Sequence, residues 1–352
     1  MNRIHPSLSS TAALCVLTLI AVPACSDDDD GSIEVAAPFQ VRQSVEQLHI
    51  TQAEPGTTLE VVAADGTVVA SGTVDDLGSL IVRQLPPGDG YAVRVADGSE
   101  QVDDLTVMSV AGSTPSQEFY AGQVLEPGFG YIETRDGTLL SVYVQLPGPV
   151  EDGPYPTLIN YSGYAPSRPG APVSAAPASL CDSLPVLCDA PNHPSGLIAG
   201  VMGFATVGVN MRGTGCSGGA YDFFETLQLL DGYDIIETVA AQPWVKGNKV
   251  GMAGLSFPGI SQLYVASMRP PSLAAITPLS VIADVQSILV PGGILNDGFA
   301  INWGQRVQDS ADPFGQGWEQ ERVDAGDDIC GSNQLLHGQK VDIIDKAYAN
   351  PF

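Results

Sequence analysis

The amino-acid sequence predicts an α/β domain preceded by a small all-β domain, and three observations carry this prediction. Short alternating strands separated by Pro and Gly turns occupy residues 41–112. From residue 128 onward, apolar runs of strand length alternate with segments of helical periodicity. A Gly-rich turn with a central serine lies at residues 254–259, where one such strand should meet a helix. With 352 residues, 44% of them hydrophobic, the chain is long enough to bury a substantial core.

The first 25 residues are predicted to be an export signal. Arg3 gives a weakly basic start, and residues 12–24 form an apolar run that is too short to span a bilayer. The sequence Val22-Pro23-Ala24-Cys25 resembles the lipobox of bacterial lipoproteins, in which cleavage exposes a cysteine for lipidation. We therefore expect a cell-envelope lipoprotein anchored at Cys25, with plain secretion as the alternative. Residues 26–40 are predicted to be a solvated acidic linker.

The charge balance limits the partners that the protein can have. Lys and Arg total 14 against 40 Asp and Glu, which gives a net charge of −26. Such a charge argues against nucleic acid and anionic lipid as electrostatic partners and is typical of a solvated acidic surface. The expected partner is a small ester, amide or peptide substrate, and membrane contact is expected only through Cys25.

The number of cysteines predicts two disulfides. Removal of Cys15 with the signal and lipidation of Cys25 leave an even set of four: Cys181, Cys188, Cys216 and Cys330. Cys181 and Cys188 are close enough in sequence to close a small loop, which leaves Cys216–Cys330 as a long-range crosslink. Metal binding is the alternative, but no C-x-x-C or paired histidine supports it.

Residues 41–112 are predicted to form an immunoglobulin- or fibronectin-like β-sandwich. Runs such as residues 59–62 and 91–95 alternate, and turns such as Asp65-Gly66 separate them. We expect this domain to be a spacer or packing partner, with ligand binding as the alternative. Residues 113–127 are predicted to be a linker.

Residues 128–352 are predicted to be the catalytic domain. It should begin with a hairpin at Asp136-Gly137. Apolar runs then predict buried parallel strands, and a 3.6-residue repeat predicts helices between them. The predicted strands are 157–161, 204–211 and 249–255, and the predicted helices are 229–240 and 260–268.

The segment from Gly254 to Gly259 resembles a nucleophile elbow, the sharp strand-to-helix turn that exposes a catalytic serine. In that interpretation Ser256 is the nucleophile, and Gly254 permits the close crossing of strand and helix. The field of the following helix would favour negative charge beside Ser256. The pattern departs from G-x-S-x-G because Pro258 stands where the second glycine belongs.

Several motifs around this turn resemble the cocaine esterase and Xaa-Pro dipeptidyl-peptidase family. They are Pro156-Thr157-Leu158-Ile159 leading to Tyr164, Arg212-Gly213-Thr214-Gly215-Cys216-Ser217-Gly218-Gly219, Asp231-Gly232-Tyr233-Asp234, Gln242-Pro243-Trp244 and Gly247-Asn248-Lys249-Val250-Gly251-Met252. The resemblance covers residues 130–303. It implies an α/β-hydrolase fold and the hydrolysis of an ester or amide through an acyl-serine intermediate, with no metal or organic cofactor.

The same resemblance implies the roles of individual residues. Ser256 would be the nucleophile, and the backbone N–H of Phe257 and the hydroxyl of Tyr164 would form the oxyanion hole, with Tyr161 as the alternative donor. The family often has tyrosine at position 257 and aspartate at position 210, so Phe257 and Asn210 are departures. The departure at Phe257 should be harmless because only its backbone donates. Arg212 is expected to be structural.

The base and the acid of a catalytic triad are not evident. His337 is the only histidine after Ser256, and no strand pattern precedes it. Asp324, Asp327 and Asp328 are no better placed. We therefore expect the sequence to be an incomplete hydrolase that lacks its catalytic Asp and His. The alternatives are a lipid-anchored binding protein and a pseudoenzyme.

A helical cap is expected from about residue 285. Phe299, Trp303 and Trp318 are candidates to line the substrate pocket, with core packing as the alternative. The substrate itself is not predicted, because proline peptides, esters and β-lactam-type amides are all used within the family.

Overall fold

The structure is a computed structural model that describes residues 39–173, 180–181, 184–282 and 284–349. The predicted signal peptide, Cys25 and nearly all of the acidic linker lie outside these residues. No helix within the described ranges combines the length and the apolar character needed to cross a bilayer.

Seven antiparallel strands make up the amino-terminal part of the described chain. They are β1 Gln40–Gln43, β2 Gln47–Thr51, β3 Thr58–Val62, β4 Val68–Thr73, β5 Leu80–Arg83, β6 Gly88–Val95 and β7 Gln101–Val107. One sheet has the order β1-β2-β5 and the other β4-β3-β6-β7. Alternate side chains of both sheets, such as Ile50 and Val93, enter one apolar core. At the predicted turn, Gly66 has a φ of 84° and Asp65 accepts from the Thr67 backbone, so the local sequence fixes the reversal.

Residues 113–127, which we predicted to be a linker, pack instead against the following domain. They contain helix α1, Gln117–Ala121. The Tyr120 side chain is buried, and its hydroxyl donates to Asp234 at 2.8 Å. Leu125 joins the main apolar core. The polar residues at the start of this segment predicted a linker, but Tyr120 and Leu125 later in the segment are buried.

A six-stranded mixed sheet follows, with the order β13-β12-β10-β11-β9-β8. Its strands are β8 Gly128–Glu133, β9 Leu139–Gln145, β10 Tyr155–Ser162, β11 Ala205–Asn210, β12 Val245–Leu255 and β13 Leu273–Leu279. Strands β8 and β9 form the predicted hairpin, and β10, β11, β12 and β13 are parallel. Every residue of β11 is buried, as expected for a strand that is covered on both faces.

Helices cover this sheet and form the predicted cap region. The first three are α2 Pro194–Val201, α3 Thr226–Ala240 and α4 Phe257–Ser267. From residue 285 the described chain is helical, with α5 Val285–Leu289, α6 Phe299–Asp309, α7 Glu319–Asp324, α8 Asp328–Asn333 and α9 Ile343–Ala349. Together with the mixed sheet, these elements confirm the predicted fold class, an α/β-hydrolase fold after small β-sheets.

Both predicted disulfides are present in the structure. Cys181 is bonded to Cys188, and Cys216 is bonded to Cys330. The second disulfide joins the loop after β11 to α8 and lies in a buried cluster with Trp318. Within the described residues, no group of His, Cys, Asp and Glu side chains is arranged to hold a metal ion.

Candidate active site

Ser256 occupies the sharp turn between strand β12 and helix α4. Its φ of 67° and ψ of −126° lie in a region of backbone conformation that residues other than glycine rarely adopt. Holding a residue in such a region costs about 1–3 kcal/mol. Hydrogen bonds on both sides hold the turn. The Ser256 N–H donates to the Leu279 carbonyl at 2.9 Å, and the Ser256 carbonyl accepts from the N–H groups of Gly259 and Ile260. The half-buried side chain therefore lies at the carboxyl edge of the parallel strands, the usual ligand edge of such sheets.

Two glycines explain why this sequence folds into the turn. A Cβ on Gly254 would lie 2.6 Å from the Cβ of Pro258, so the predicted close crossing of strand and helix requires glycine there. A Cβ on Gly259 would lie 2.6 Å from the Leu279 carbonyl oxygen, which shows a second close approach one residue later than the usual pattern. Pro258 lies in the first turn of α4, where its missing N–H removes no helical hydrogen bond.

Phe257 contributes an unpaired backbone N–H at the start of α4. Among the described residues, nothing accepts a hydrogen bond from this group. The Phe257 side chain is fully buried and packs with the rings of Phe223, Phe224 and Trp303 at centroid distances of 5.3–5.7 Å. Aromatic packing thus fixes the first residue of the helix, and its N–H is free to bind an anionic oxygen.

Tyr164 lies in the loop after β10 and contacts Phe257. The two rings meet edge-on at 5.5 Å, and the Tyr164 side chain is 40% exposed. The Trp303 indole N–H donates to the Tyr164 hydroxyl oxygen at 3.0 Å. Because that oxygen accepts from Trp303, the hydroxyl hydrogen of Tyr164 remains available for donation to another oxygen.

Tyr161, the alternative donor, has a different role. It is fully buried, and its hydroxyl donates to the backbone carbonyl of Gln228 in α3 at 3.0 Å. The structure therefore brings Tyr164, and not Tyr161, to the surface beside Phe257.

Asn210, a departure from the family pattern, fixes the Tyr164 loop. Its amide nitrogen donates to the Tyr164 carbonyl at 2.8 Å, and its oxygen accepts from the backbone and hydroxyl of Ser167. An aspartate can only accept, so the donor side of this network requires the amide. Gln316, which the sequence analysis missed, donates to the carbonyls of Gly163 and Tyr164. No sequence signal marks Gln316, because it lies about 150 residues away in the cap.

A cleft of about 440 Å³ begins at Tyr164. It is lined by Tyr164, Ala165, Trp303, Arg306, Val307, Ser310 and Gln316. Of the three aromatic candidates for the pocket, Trp303 lines this cleft. Trp318 is 2% exposed and packs on the Cys216–Cys330 disulfide, and Phe299 is 61% exposed and absent from the lining.

The described histidines bind other groups. His337 is fully buried with Nε2 2.7 Å from the Ser217 carbonyl oxygen, and burial lowers its pKa. His193 caps α2 by accepting from the Gly196 N–H, and burial lowers its pKa to about 4. His49 lies in the β-sandwich beside Arg42 and Gln47. None of these three forms a hydrogen bond with Ser256.

The three acidic candidates lie in or beside helices α7 and α8. Asp327 accepts from Tyr131, Arg322 and the Cys330 backbone at the start of α8. Asp324 accepts from Gln320, one turn earlier on α7, and Asp328 lies in the first turn of α8. The described residues therefore show no base and acid joined to the candidate nucleophile.

Arg212, two residues after the end of strand β11, forms a buried ion network. Its guanidinium donates to Asp231 at 2.6 and 2.8 Å and to Asp136 at 3.1 and 3.2 Å. Burial alone would raise the pKa of Asp136, but the charges of Arg212 and Arg42 hold it well below the usual range. Ser44 of the β-sandwich also donates to Asp136 at 2.6 Å, so the network joins the two parts of the fold.

The strand, the strained serine turn and the following helix together define an α/β-hydrolase. The family model of the X-Pro dipeptidyl-peptidase (S15 family) matches residues 136–342. The chain belongs to this family of serine hydrolases.

This chain matches only part of the length of each individual relative. A proposed serine esterase of Mycobacterium bovis is 33% identical over 105 residues, which are 29% of this chain and 17% of the esterase. A CocE/NonD family hydrolase from Staphylococcus aureus is 22% identical with a TM-score of 0.46, and the match covers 64% of this chain and 36% of the hydrolase. Est1E from Butyrivibrio proteoclasticus is 21% identical with a TM-score of 0.30, and the match covers 47% of this chain and 55% of Est1E. The chain thus spans well under two thirds of each of these relatives.

Proposed function

We propose that the protein hydrolyses an ester or amide through an acyl intermediate on Ser256. The observation that carries the proposal is the strained backbone of Ser256 at the β12–α4 turn. A strained backbone conformation persists only where the surrounding structure enforces it, and such positions concentrate at functional sites. Membership of a serine hydrolase family supports the same chemistry.

In the proposed reaction, the Ser256 hydroxyl oxygen attacks the substrate carbonyl carbon and its proton passes to a general base. The carbonyl oxygen becomes an oxyanion, which accepts from the Phe257 N–H and the Tyr164 hydroxyl. Collapse of this intermediate expels the alcohol or amine, which takes the proton, and water then hydrolyses the acyl-serine. One preorganised oxyanion donor is typically worth about 3 kcal/mol of barrier.

The proposal requires a base from outside the described residues. A serine hydroxyl is a poor nucleophile at neutral pH unless a base removes its proton. His49, His193 and His337 bind other groups, so we expect the catalytic His and its orienting acid to come from outside the described residues.

Labelling with a fluorophosphonate tests this function. The native full-length protein should be labelled on the peptide that contains Ser256, and Ser256→Ala should abolish the label. The control is Ser267→Ala, which removes an exposed serine at the end of the same helix and should leave labelling intact. If the native protein is not labelled at Ser256, the hydrolase proposal fails, and a lipid-anchored binding protein or pseudoenzyme becomes the better interpretation.

We propose further that the protein is exported and anchored through Cys25. The two disulfides support export, because such bonds persist in oxidising compartments. Cys25→Ser should move the protein from the membrane fraction to the soluble fraction, whereas Cys15→Ser, within the predicted signal, should not. Membrane retention of Cys25→Ser would exclude the anchor.

A further inference from the structure

Gln316 of the cap is hydrogen-bonded to the loop that carries Tyr164. Its side-chain nitrogen donates to the Gly163 carbonyl at 3.0 Å and to the Tyr164 carbonyl at 2.6 Å. Gly163 is buried, and among the described residues its carbonyl accepts from no other donor. Leaving a buried carbonyl without a partner is costly, so Gln316 stabilises this stretch of the loop in its observed position.

The neighbours of the Gln316 amide fix its orientation. The Trp318 indole N–H, which can only donate, lies 3.0 Å from Oε1, and the Asn210 amide nitrogen lies 3.1 Å from the same oxygen. The groups that face the amide nitrogen are carbonyls, which can only accept. An acceptor on one side and a donor on the other are therefore both required, and a side-chain amide supplies both.

The cap segment around Gln316 is anchored in the interior. The Gln316 backbone N–H donates at 3.0 Å to the carboxylate of Glu319, which is fully buried. Trp318 is 2% exposed and packs on the Cys216–Cys330 disulfide. The Tyr164 loop is thus held against a fixed part of the cap.

Gly163 lies between this contact and the proposed oxyanion site. A Cβ on Gly163 would lie 2.7 Å from the Phe257 ring, so the loop closely approaches the first residue of α4. The Tyr164 ring, one residue later, meets the Phe257 ring edge-on at 5.5 Å. A shift of the loop backbone would therefore move the Tyr164 hydroxyl relative to the Phe257 N–H. A displacement of about 1 Å in a catalytic site can cost on the order of 100-fold in rate.

We propose that Gln316 is a positioning residue, which holds the loop so that the Tyr164 hydroxyl and the Phe257 N–H donate to the same oxyanion. This role rests on the function proposed above. Trp303, which donates to the Tyr164 hydroxyl oxygen, also belongs to the cap. The oxyanion site is consequently complete only while the cap is packed on the Tyr164 loop. Gln316 acts through Tyr164 and requires no contact with the substrate.

Steady-state ester hydrolysis by the full-length protein tests this role. Gln316→Met removes the amide at similar volume and should lower kcat about 10-fold with little change in KM, because the two hydrogen bonds that orient the loop are lost. Gln316→Glu keeps an acceptor towards Trp318 and loses the donor, so it should lower kcat at least as much. Gln320→Met is the matched control, because the Gln320 amide donates to Asp324 within α7; its kcat should equal that of the wild type.

A double variant separates positioning from a general loss of structure. In the Tyr164→Phe background, Gln316→Met should lower kcat by less than about twofold more, because the hydroxyl that Gln316 positions is already absent. The inference is overturned by a further loss of about 10-fold in that background, by a wild-type kcat for either Gln316 variant, or by a change confined to KM.

Fluorine NMR of the protein labelled with 3-fluorotyrosine tests the same contact without turnover. The Tyr164 resonance, assigned by its absence from Tyr164→Phe, should shift in Gln316→Met and remain unchanged in Gln320→Met. An unchanged Tyr164 resonance in Gln316→Met would overturn the positioning role even in an active enzyme. Absence of the fluorophosphonate label at Ser256 would instead count against the proposed function, and the fluorine spectrum would still decide whether Gln316 positions Tyr164.

Discussion

Replacing Arg212 with alanine tests the buried ion network that joins the β-sandwich to the catalytic domain. The side chains of Arg212, Asp136 and Asp231 are 1%, 0% and 0% exposed. Removal of the arginine would leave Asp136 and Asp231 in the interior without the cation that donates to both of them. Breaking a buried pair in this way costs about 3–5 kcal/mol, so Arg212→Ala should lower the free energy of unfolding by that amount.

The pH dependence gives the same experiment a second readout. In the wild type the pKa of Asp136 is well below 3.8, so its contribution to stability is present above that pH and is lost as the pH falls through the folded pKa. In the wild type, burial already raises the pKa of Asp231 to about 6. Without the charge of Arg212, the pKa values of both Asp136 and Asp231 should rise above their wild-type values. The stability of the variant should therefore increase more than that of the wild type as the pH falls from 7 to 5, because protonation neutralises the two carboxylates that have lost Arg212.

Urea denaturation followed by circular dichroism measures both effects. The control is Arg94→Ala, which breaks a partly exposed ion pair with Glu60 and should cost only about 0–1 kcal/mol. If Arg212→Ala costs no more than Arg94→Ala, or shows no pH-dependent recovery, the network does not stabilise the fold in the way described.

Three further predictions concern single groups. The pKa of Glu225 is raised to about 7, chiefly by burial, so its contribution to stability should be lost as the pH rises from 4.5 to 7; Glu225→Gln should reduce the slope of stability against pH in urea titrations, and an unchanged slope would contradict the assignment. Replacement of Cys216 and Cys330 by serine should lower the free energy of unfolding by about 2–5 kcal/mol, because this disulfide closes a loop of 114 residues; a measured loss below 1 kcal/mol would refute the estimate. Tyr164→Phe should reduce kcat about 100-fold in steady-state ester hydrolysis with little change in KM, because the hydroxyl acts on the oxyanion; a change confined to KM would mean that Tyr164 only binds substrate.

The order of elements in the catalytic domain could be predicted from the sequence, since local patterns determine it. The strands predicted from apolar runs at residues 157–161 and 204–211 are observed as Tyr155–Ser162 and Ala205–Asn210, and the Asp136-Gly137 turn closes the expected hairpin. The serine turn could be placed as well, because Gly254 and Gly259 are required by close backbone approaches within a few residues. Steric requirements between residues that are close in the sequence can be predicted from the sequence alone.

Contacts between distant segments were decided only by the tertiary structure. The family resemblance implied Tyr164 as the donor with Tyr161 as the alternative, and the contact of Tyr164 with Phe257 and the hydrogen bond of Tyr161 to α3 distinguish the two. Similarly, Trp303 lines the cleft and Trp318 lies beside a disulfide, although both occur in the same predicted cap.

Contacts between residues that are far apart in the sequence also explain the other differences between the predictions and the structure. Tyr120 anchors a segment predicted to be a linker through a bond to Asp234, more than one hundred residues away. Asn210, a departure from the family pattern, uses its amide to donate to the backbone of the Tyr164 loop, a contact between segments 46 residues apart. Periodicity and turn residues therefore determined the elements and the position of the candidate nucleophile, whereas the candidate oxyanion donors and the cleft depend on which distant side chains the fold brings into contact.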